Sequence, residues 1–372
     1  MHKRHNNAPG TSGLIHQNRT RVALNLCYIT SMTSMRVRNY RLPVIRPGWT
    51  GNRFENNSQF VNEEQPFFPQ FSDMLKWTFR RNPQRNEKAR DPFRLSVSND
   101  SSFVQEKMDC IVWLGHSTFY IRLSGVVIVI DPVFYDLPFI KRYSRHALSP
   151  SALGRVDYLL ISHDHRDHCQ ERSVREIVRF NPDVEVLAGL QMDTLLQQWV
   201  PAQQIQCAGW YQQYKTKSSV AICFLPTRHW SKRTYNDTNR RLWGAFTIQS
   251  ASQTIYFSGD TAYGSHFKEA AELFPSIDIA IMGVGAYKPS WLMKYVHLSP
   301  EEAVQASNDL GASLFIPMHY GTFDLSDEPP GEPVSKLLSL KSNETLQAEL
   351  KIVNPGEVFQ LSGDEKGDVI KV

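Results

Sequence analysis

The sequence contains at residues 161–168 the stretch Ile161-Ser162-His163-Asp164-His165-Arg166-Asp167-His168. It continues the apolar run Tyr158–Ile161, so we expect a loop at the carboxyl end of a buried strand. Four potential ligands, His163, His165, Asp167 and His168, fall within six residues. Imidazole and carboxylate suit zinc, and also iron or manganese. One ion cannot easily take all four groups from so tight a loop, whereas two neighbouring ions can share them.

Three further apolar runs lead to an isolated histidine or aspartate. Val220–Leu225 leads to His229, Thr254–Phe257 to Asp260, and Leu314–Met318 to His319. Because strand ends in an α/β sheet gather sites at one edge, we expect these side chains to meet the histidine loop. The alternative for each histidine alone is an ordinary buried or surface residue. Together, the four strand ends predict a centre that holds two metal ions.

From Asp109 onward, apolar runs rich in β-branched residues alternate with turns and helical segments. The predicted strands are Cys110–Leu114, Phe119–Leu123, Val126–Ile130, Tyr158–Ile161, Val184–Leu187, Val220–Leu225, Thr254–Phe257, Ile277–Met282 and Leu314–Met318. Helices are predicted at Glu171–Phe180, Met192–Val200 and from Ser299 to about Leu310. Ser299 suits the N-cap of the last helix, Glu302 completes a capping box, and Gly311 ends it. This alternation predicts a layered α/β domain.

The chain divides into three zones. Residues 1–50 are basic, and no Asp or Glu occurs before Glu55, so we predict a disordered tail, with a transit peptide as the alternative. Residues 51–108 form an aromatic-rich extension that we expect to pack on the core. Within it, Lys76–Arg81 interleaves basic and aromatic side chains, which suits either a helix packed on the main domain or a membrane surface. Residues 109–372 form the predicted α/β domain that carries the histidine loop.

Composition excludes several classes of protein. The 372 residues are 41% hydrophobic and 21% charged, which is ordinary for a globular protein, and no run of about 18 apolar residues indicates a membrane-spanning helix. Five cysteines without CxxC spacing give neither a disulfide framework nor a cysteine zinc site. A net charge of +4 does not by itself indicate nucleic-acid binding, and we expect none. The segment Gly115–Phe119 lacks the second glycine of a serine-hydrolase elbow.

The pattern HxHxDH followed by a later His, Asp and His resembles the metallo-β-lactamase superfamily. The resemblance implies an αββα sandwich of two mixed β-sheets flanked by helices. It also implies two zinc ions, or iron or manganese in their place. One ion would be held by His163, His165 and His229, the other by Asp167, His168 and His319, with Asp260 bridging them. Asp131 would hold the histidine loop in place without binding metal.

Further motifs resemble the superfamily branch of N-acyl-phosphatidylethanolamine-hydrolysing phospholipase D. They are Trp113–Phe119, Gly259–Tyr263, Gly285–Pro289, Met293–His297 and His319–Phe323. The resemblance runs from about Gly51 to the C-terminus. It implies that His297 contacts the substrate or donates a proton. His116 and Tyr287 are candidates for substrate contacts or supporting residues.

The implied reaction is cleavage of a phosphodiester bond by a metal-bridging hydroxide. The expected substrate is an N-acyl-phosphatidylethanolamine-type phospholipid, cleaved to N-acylethanolamine and phosphatidic acid. Asp167, Asp260 and His297 are the expected catalytic residues, with Asp260 orienting the hydroxide. The alternatives are a metal-dependent lactonase or other small-substrate hydrolase, a nuclease, and a non-catalytic binding protein. The filled ligand positions argue against the last of these.

We expect a cytoplasmic protein, since its scattered cysteines fit a reducing compartment. Peripheral membrane contact and organelle targeting by the basic N-terminus are the alternatives. The residues carry no pattern that indicates an oligomeric state.

Overall fold

The computed structural model describes residues 34–56, 58–64, 67, 69–217 and 219–361. The strands are β1 (Ser34–Val37), β2 (Asn52–Glu55), β3 (Gln59–Phe60), β4 (Cys110–Gly115), β5 (Thr118–Leu123), β6 (Val126–Ile130), β7 (Tyr158–Ile161), β8 (Glu185–Gly189), β9 (Ile205–Ala208), β10 (Gln212–Gln213), β11 (Ala221–Leu225), β12 (Ala245–Gln249), β13 (Thr254–Phe257), β14 (Ile279–Gly283), β15 (Leu314–Met318), β16 (Glu349–Leu350) and β17 (Val358–Gln360). The α-helices are α1 (Phe71–Phe79), α2 (Arg85–Arg90), α3 (Glu171–Phe180), α4 (Asp193–Leu196), α5 (His266–Leu273), α6 (Ser290–Met293), α7 (Pro300–Leu310) and α8 (Glu332–Ser342).

Two seven-stranded mixed sheets form the body of the fold. One has the order β17-β4-β5-β6-β7-β8-β9, the other β10-β11-β12-β13-β14-β15-β16. In each sheet the first three pairings in this order are antiparallel and the last three are parallel. With helices such as α3 and α7 packed outside, this is the predicted αββα sandwich.

The strands are continuous apolar runs because both faces of each sheet are covered. Along β4, Ile111 and Trp113 belong to the core shared by the two sheets, while Val112 belongs to a second core on the outer face. That outer core includes Val174 and Ile177 of α3. The alternation of neighbouring side chains between two cores explains why every residue of β4 to β7 is buried.

Helix α7 begins and ends at the residues that the sequence predicted. The Ser299 hydroxyl accepts a hydrogen bond from the Glu302 amide at 3.2 Å, and the Glu302 carboxylate accepts one from the Ser299 amide at 2.9 Å. Gly311 ends the helix with φ 62°, in the left-handed region where glycine carries no Cβ penalty. The helix packs Ala303, Val304 and Leu310 into a hydrophobic cluster that includes residues of the second sheet.

The predicted boundary at residue 50 is wrong for the part of the tail that the structure describes. Ser34–Val37 pairs with β2, and the Ile45 amide donates to the Tyr211 carbonyl at 2.8 Å. The Asn39 side chain donates to the Cys207 carbonyl at 2.8 Å. These backbone and side-chain bonds order residues 34–50 on the second half of the chain. Residues 1–33 of the predicted tail lie outside the described residues.

The predicted helix at Met192–Val200 is shorter in the structure, where α4 covers only Asp193–Leu196. The amides of Gln198 and Trp199 bond three residues back rather than four, which tightens the last turn before Pro201. Among the described residues, no helix combines the length and the apolar composition that crossing a bilayer requires.

Candidate metal centre

Loops from both sheets bring histidines and aspartates to one place. The first sheet supplies His163, His165, Asp167 and His168 after β7, Asp131 after β6 and His116 in the β4–β5 turn; the second supplies His229 after β11, Asp260 after β13 and His319 after β15. Their ligand atoms form groups in which all members lie within 4.8 Å of one another. The structure therefore assembles all seven predicted ligands.

The first group contains His163, His165, His229 and Asp260. His165 Nδ1 lies 2.9 Å from His163 Nε2 and 3.2 Å from His229 Nε2. Asp260 Oδ2 lies 3.9 Å from His163 Nε2 and 3.8 Å from His229 Nε2. The His229 Nδ1 atom lies 2.8 Å from the Val296 carbonyl, which fixes the ring so that Nε2 faces the group.

The second group contains His116, Asp167, His168 and His319. His116 Nε2 lies 3.1 Å from Asp167 Oδ2, and His319 Nε2 lies 3.7 Å from the same oxygen. The His116 and His319 ring centroids are 4.1 Å apart. His116, predicted as a substrate contact or supporting residue, thus lies directly against a predicted ligand.

Asp131 holds the histidine loop in place through contacts with Ser162 and His168. Its carboxylate accepts from the Ser162 amide at 2.7 Å and the Ser162 hydroxyl at 2.6 Å, and it lies 2.8 Å from His168 Nδ1. Burial raises the pKa of Asp131, and its contacts with His168 and Ser162 oppose that rise. The carboxylate thereby orients His168 with its Nε2 atom toward Asp260, 3.1 Å away.

Electrostatics and hydrogen bonding at the centre fit metal ligands. Burial lowers the pKa of His163 and His229 well below the ordinary value, which keeps both imidazoles in the neutral form that binds metal. Burial alone would raise the pKa of Asp260, but His168 and His319 hold it well below its usual range. The buried Nε2 atoms of His168 and His319 make no hydrogen bond to any described residue, which leaves them available as ligand atoms.

The backbone of His319 lies close to the backbone of Gly285 and of His116. His319 adopts φ 64°, and its amide donates to the His116 carbonyl at 3.1 Å, which joins the two sheets at the centre. A Cβ atom on Gly285 would lie 2.1 Å from the His319 carbonyl oxygen, so only glycine fits there.

A cavity of about 330 Å³ opens onto the centre, which supplies His165, Asp167, Asp260, His297 and His319 to its wall. Its apolar wall includes Met74 and Trp77 from α1, and Trp230, Leu292, Met293, Val296 and Leu325. Arg166 and Lys232 add two cations. A cavity of this lining can take a molecule that carries an anionic group beside an apolar chain.

A buried ion-pair network holds the loop that carries Lys232. Asp164 accepts from the Lys232 amide at 2.8 Å and from Arg241 Nε at 2.7 Å. Arg241 also pairs with Asp237. Because Asp164 separates His163 from His165, this network ties the histidine loop to one wall of the cavity.

His297, predicted as a substrate contact or proton donor, lines the cavity with its Nδ1 atom 3.8 Å from Asp260 Oδ2. Burial lowers the pKa of His297 to about 4, and His319 acts in the same direction, while Asp260 opposes them. Its ring lies 5.3 Å from that of His229 between centroids, so a group bound at the centre would meet it.

The structure does not bring Tyr287 to the centre. Its hydroxyl donates to Glu332, and the residue is absent from the lining of the cavity. The sequence analysis in turn missed Trp230, Arg166 and Lys232 as cavity residues. For Arg166 and Trp230 the available signal was their position in the sequence directly beside predicted ligands. In the structure the Trp230 ring lies 4.8 Å from that of His165, between centroids.

Comparison with known proteins agrees with this geometry. A family model described as the beta-lactamase superfamily domain matches residues 127–320. The chain belongs to the metallo-β-lactamase superfamily and is a metal-dependent hydrolase. The predicted superfamily is thus confirmed.

Individual proteins similar to this chain include two hydrolases known by sequence and one solved structure. The chain is 30% identical over 342 residues to N-acyl-phosphatidylethanolamine-hydrolyzing phospholipase D 1 of Caenorhabditis elegans, covering 85% of this chain and 95% of that protein. It is 27% identical over 257 residues to a metal-dependent hydrolase of Caldivirga maquilingensis, covering 68% and 99% of the two chains. The solved structure of Igni18, a metallo hydrolase from Ignicoccus hospitalis, superposes with a TM-score of 0.52 at 21% identity, covering 69% and 100%. This last similarity confirms the fold.

Proposed function

We propose that this chain is a dinuclear zinc hydrolase that cleaves the phosphodiester bond of an N-acyl-phosphatidylethanolamine-type phospholipid. The products would be phosphatidic acid and N-acylethanolamine. The observation that carries this proposal is a His/Asp cluster that opens into a cavity with apolar walls and two cations. Similarity to the C. elegans phospholipase supports the same substrate.

The proposed ligand sets follow the two groups of side chains. His163, His165 and His229 would hold one ion, Asp167, His168 and His319 the other, with Asp260 shared. Ions held there would supply an acidified water molecule and positive charge beside the phosphoryl oxygens. The Asp260 carboxylate would orient the attacking water molecule. His297 would contact the leaving oxygen of the phosphodiester. Arg166 and Lys232 attract the phosphate to the cavity.

The lipid assignment also rests on α1. The side chains of Phe71 and Phe79 are 71% and 84% exposed, and Met74 and Leu75 are also exposed, so they form one apolar face. Met74 and Trp77 of the same helix line the cavity. A lipid held at this face can pass its head group to the centre while its acyl chains stay in an apolar environment.

A hydrolysis assay in ¹⁸O-labelled water tests the proposal. Protein of measured metal content is incubated with N-acyl-phosphatidylethanolamine in mixed micelles, alongside bis-p-nitrophenyl phosphate and a lactone. We expect N-acylethanolamine and phosphatidic acid, with the label in phosphatidic acid because water attacks phosphorus. Hydrolysis of the soluble substrates alone would replace the lipid assignment by the lactonase or small-diester alternative.

We expect His297→Ala to slow lipid hydrolysis by roughly 10²- to 10⁴-fold, the range for a general acid–base group. Both ions should remain, because His229 keeps its own orienting bond to Val296. Turnover and metal content are measured on the same preparation. If activity falls only in proportion to metal content, His297 supports the ligands and does not contact the substrate.

Membrane binding gives a separate test. We expect the double variant Phe71→Ser/Phe79→Ser to bind anionic liposomes more weakly than wild type, because it removes two exposed apolar side chains. Binding should also weaken at high salt, since each basic residue near an anionic surface contributes about 1 kcal/mol. The matched control is Leu338→Ser, which removes a half-exposed apolar side chain from α8 instead of α1.

Trp77 is unsuitable for this test because its indole donates to Asp327 at 3.0 Å, so its loss would disturb packing. Equal binding by the double variant and wild type contradicts the role of α1.

A further inference from the structure

His116 lies in the turn between β4 and β5, where the first sheet meets the ligands that the second sheet supplies. Neither proposed ligand set includes it. Its side chain is only 1% exposed, and its ring packs against two others: the centroid of His319 is 4.1 Å away and that of Phe323 is 5.1 Å away. A polar ring buried this deeply needs a hydrogen-bonding role to offset the loss of water.

The backbone of His116 is held by three hydrogen bonds that do not involve its side chain. Its amide donates to the Thr322 hydroxyl at 2.9 Å. Its carbonyl accepts from the Trp113 indole at 2.8 Å and from the His319 amide at 3.1 Å. Its φ of 53° lies in the left-handed region, where histidine is enriched among residues other than glycine. The main chain therefore fixes where the ring starts, independently of what the ring contacts.

The ring of His116 makes one hydrogen bond to the described residues, and that bond fixes its tautomer. Nε2 lies 3.1 Å from Asp167 Oδ2, whereas Nδ1 is buried and bonds to none of the described residues. An ionised carboxylate can only accept, and a neutral imidazole carries a single N–H. The proton therefore belongs on Nε2, which donates to Asp167 and has no lone pair left for a metal ion.

The oxygen that accepts from His116 is the one that faces the other candidate ligands of the second group. Asp167 Oδ2 lies 3.8 Å from His168 Nε2 and 3.7 Å from His319 Nε2. A carboxylate oxygen has two lone pairs, so one can accept from His116 while the other points toward those nitrogens. His168 has comparable support, because its Nδ1 atom lies 2.8 Å from Asp131. A donor on Asp167 would fix that carboxylate in the same way.

We propose that His116 is a positioning residue for one of the two ions. Its Nε2–H holds the Asp167 carboxylate, which comes from the first sheet, and its carbonyl holds the backbone of His319, which comes from the second. A single residue thereby places two ligands of the same ion, and the ion held by His163, His165 and His229 does not depend on it. This inference rests on the proposed dinuclear centre.

Matched variants separate the hydrogen bond from the rest of the side chain. His116→Gln keeps a donor nitrogen at the same number of bonds from Cα, and His116→Leu removes every polar group. Both replacements are unbranched at Cβ, so they meet a similar cost in the left-handed backbone. His116→Asn suits that backbone well but its amide is too short to reach Asp167, so the test does not depend on the leucine variant folding. His146→Leu is the control, because His146 is exposed and belongs to none of the candidate ligand groups.

The readout is the number of zinc ions and the dissociation constant of each, measured by competition with a chelator on the folded protein. We expect His116→Leu and His116→Asn to weaken one ion by roughly 10- to 100-fold and to leave the other unchanged, the range for losing a partner of a metal ligand. His116→Gln should retain most of the wild-type affinity. The double variant His116→Leu/Asp167→Asn should bind no more weakly than Asp167→Asn alone, because the two changes remove one interaction.

Four results would overturn the role of His116: unchanged affinity in the leucine and asparagine variants, equal weakening of both ions, additive losses in the double variant, and a loss in His116→Gln as large as in His116→Leu. The last result would make the imidazole itself a metal ligand. A wild-type protein that holds fewer than two ions would contradict the dinuclear centre, and this role with it. Lipid turnover is not part of the measurement, so failure of the lipid assignment and failure of this inference are distinguishable.

Discussion

We expect Asp260→Asn to lower turnover of the proposed phospholipid substrate by roughly four orders of magnitude, the scale on which losing a member of a catalytic unit acts. One oxygen, Oδ2, lies within 3.1–3.9 Å of a ring nitrogen on each of five histidines: His163, His168, His229, His297 and His319. An amide keeps the shape but loses the charge that faces both groups. Turnover and bound metal are measured together.

The control for this variant is Asp183→Asn, which neutralises an exposed aspartate away from the centre. It should retain wild-type turnover and metal content. A folded Asp260→Asn protein with near-normal turnover would contradict the bridging role. Loss of one ion with partial activity would instead indicate that Asp260 serves a single ion, which also contradicts it.

We expect Arg241→Ala to lower the free energy of unfolding by about 3–5 kcal/mol, because removing one partner leaves a buried charge uncompensated. Asp164 is fully buried and Arg241 nearly so, and their contact of 2.7 Å joins the histidine loop to the chain after β11. Arg241→Lys should recover only part of the loss, since an ammonium cannot reproduce the guanidinium fork to Asp164 and Asp237. Urea unfolding of the three proteins gives these values.

An exposed pair of the same chemistry provides the comparison. Arg175 and Glu171 are separated by 2.9 Å on α3, with side chains 48% and 51% exposed. Arg175→Ala should cost less than about 1 kcal/mol, as surface pairs do. If Arg241→Ala is no more destabilising than Arg175→Ala, the buried network does not hold the loop in the way its geometry indicates.

The sequence was most informative where both faces of a strand are covered. Strands β6, β7, β13 and β15 lie at the predicted residues because a strand between two apolar layers is an uninterrupted apolar run. The ligand positions followed, since each directly continues such a run or lies a few residues after it. Helix α7 was predictable from local capping chemistry alone.

What the sequence did not reveal depends on contacts between distant residues. Residues 34–50 contain four arginines and no acidic residue, and their order comes from partners such as Gln212, far along the chain. Tyr287 lies in a motif that suggested a substrate contact, but its hydroxyl bonds to Glu332 across 45 positions. Lys232 is placed at the cavity by a hydrogen bond from its amide to Asp164. No local sequence pattern predicts that bond.

The assembly of the candidate ligands from both sheets has a thermodynamic consequence. His163 and His168 follow a strand of one sheet, whereas His229 and His319 follow strands of the other. An ion shared across that seam binds only when the two sheets are correctly docked, so its binding free energy becomes part of the free energy of folding. Metal supply would then set how long the folded chain persists, in addition to how fast it works.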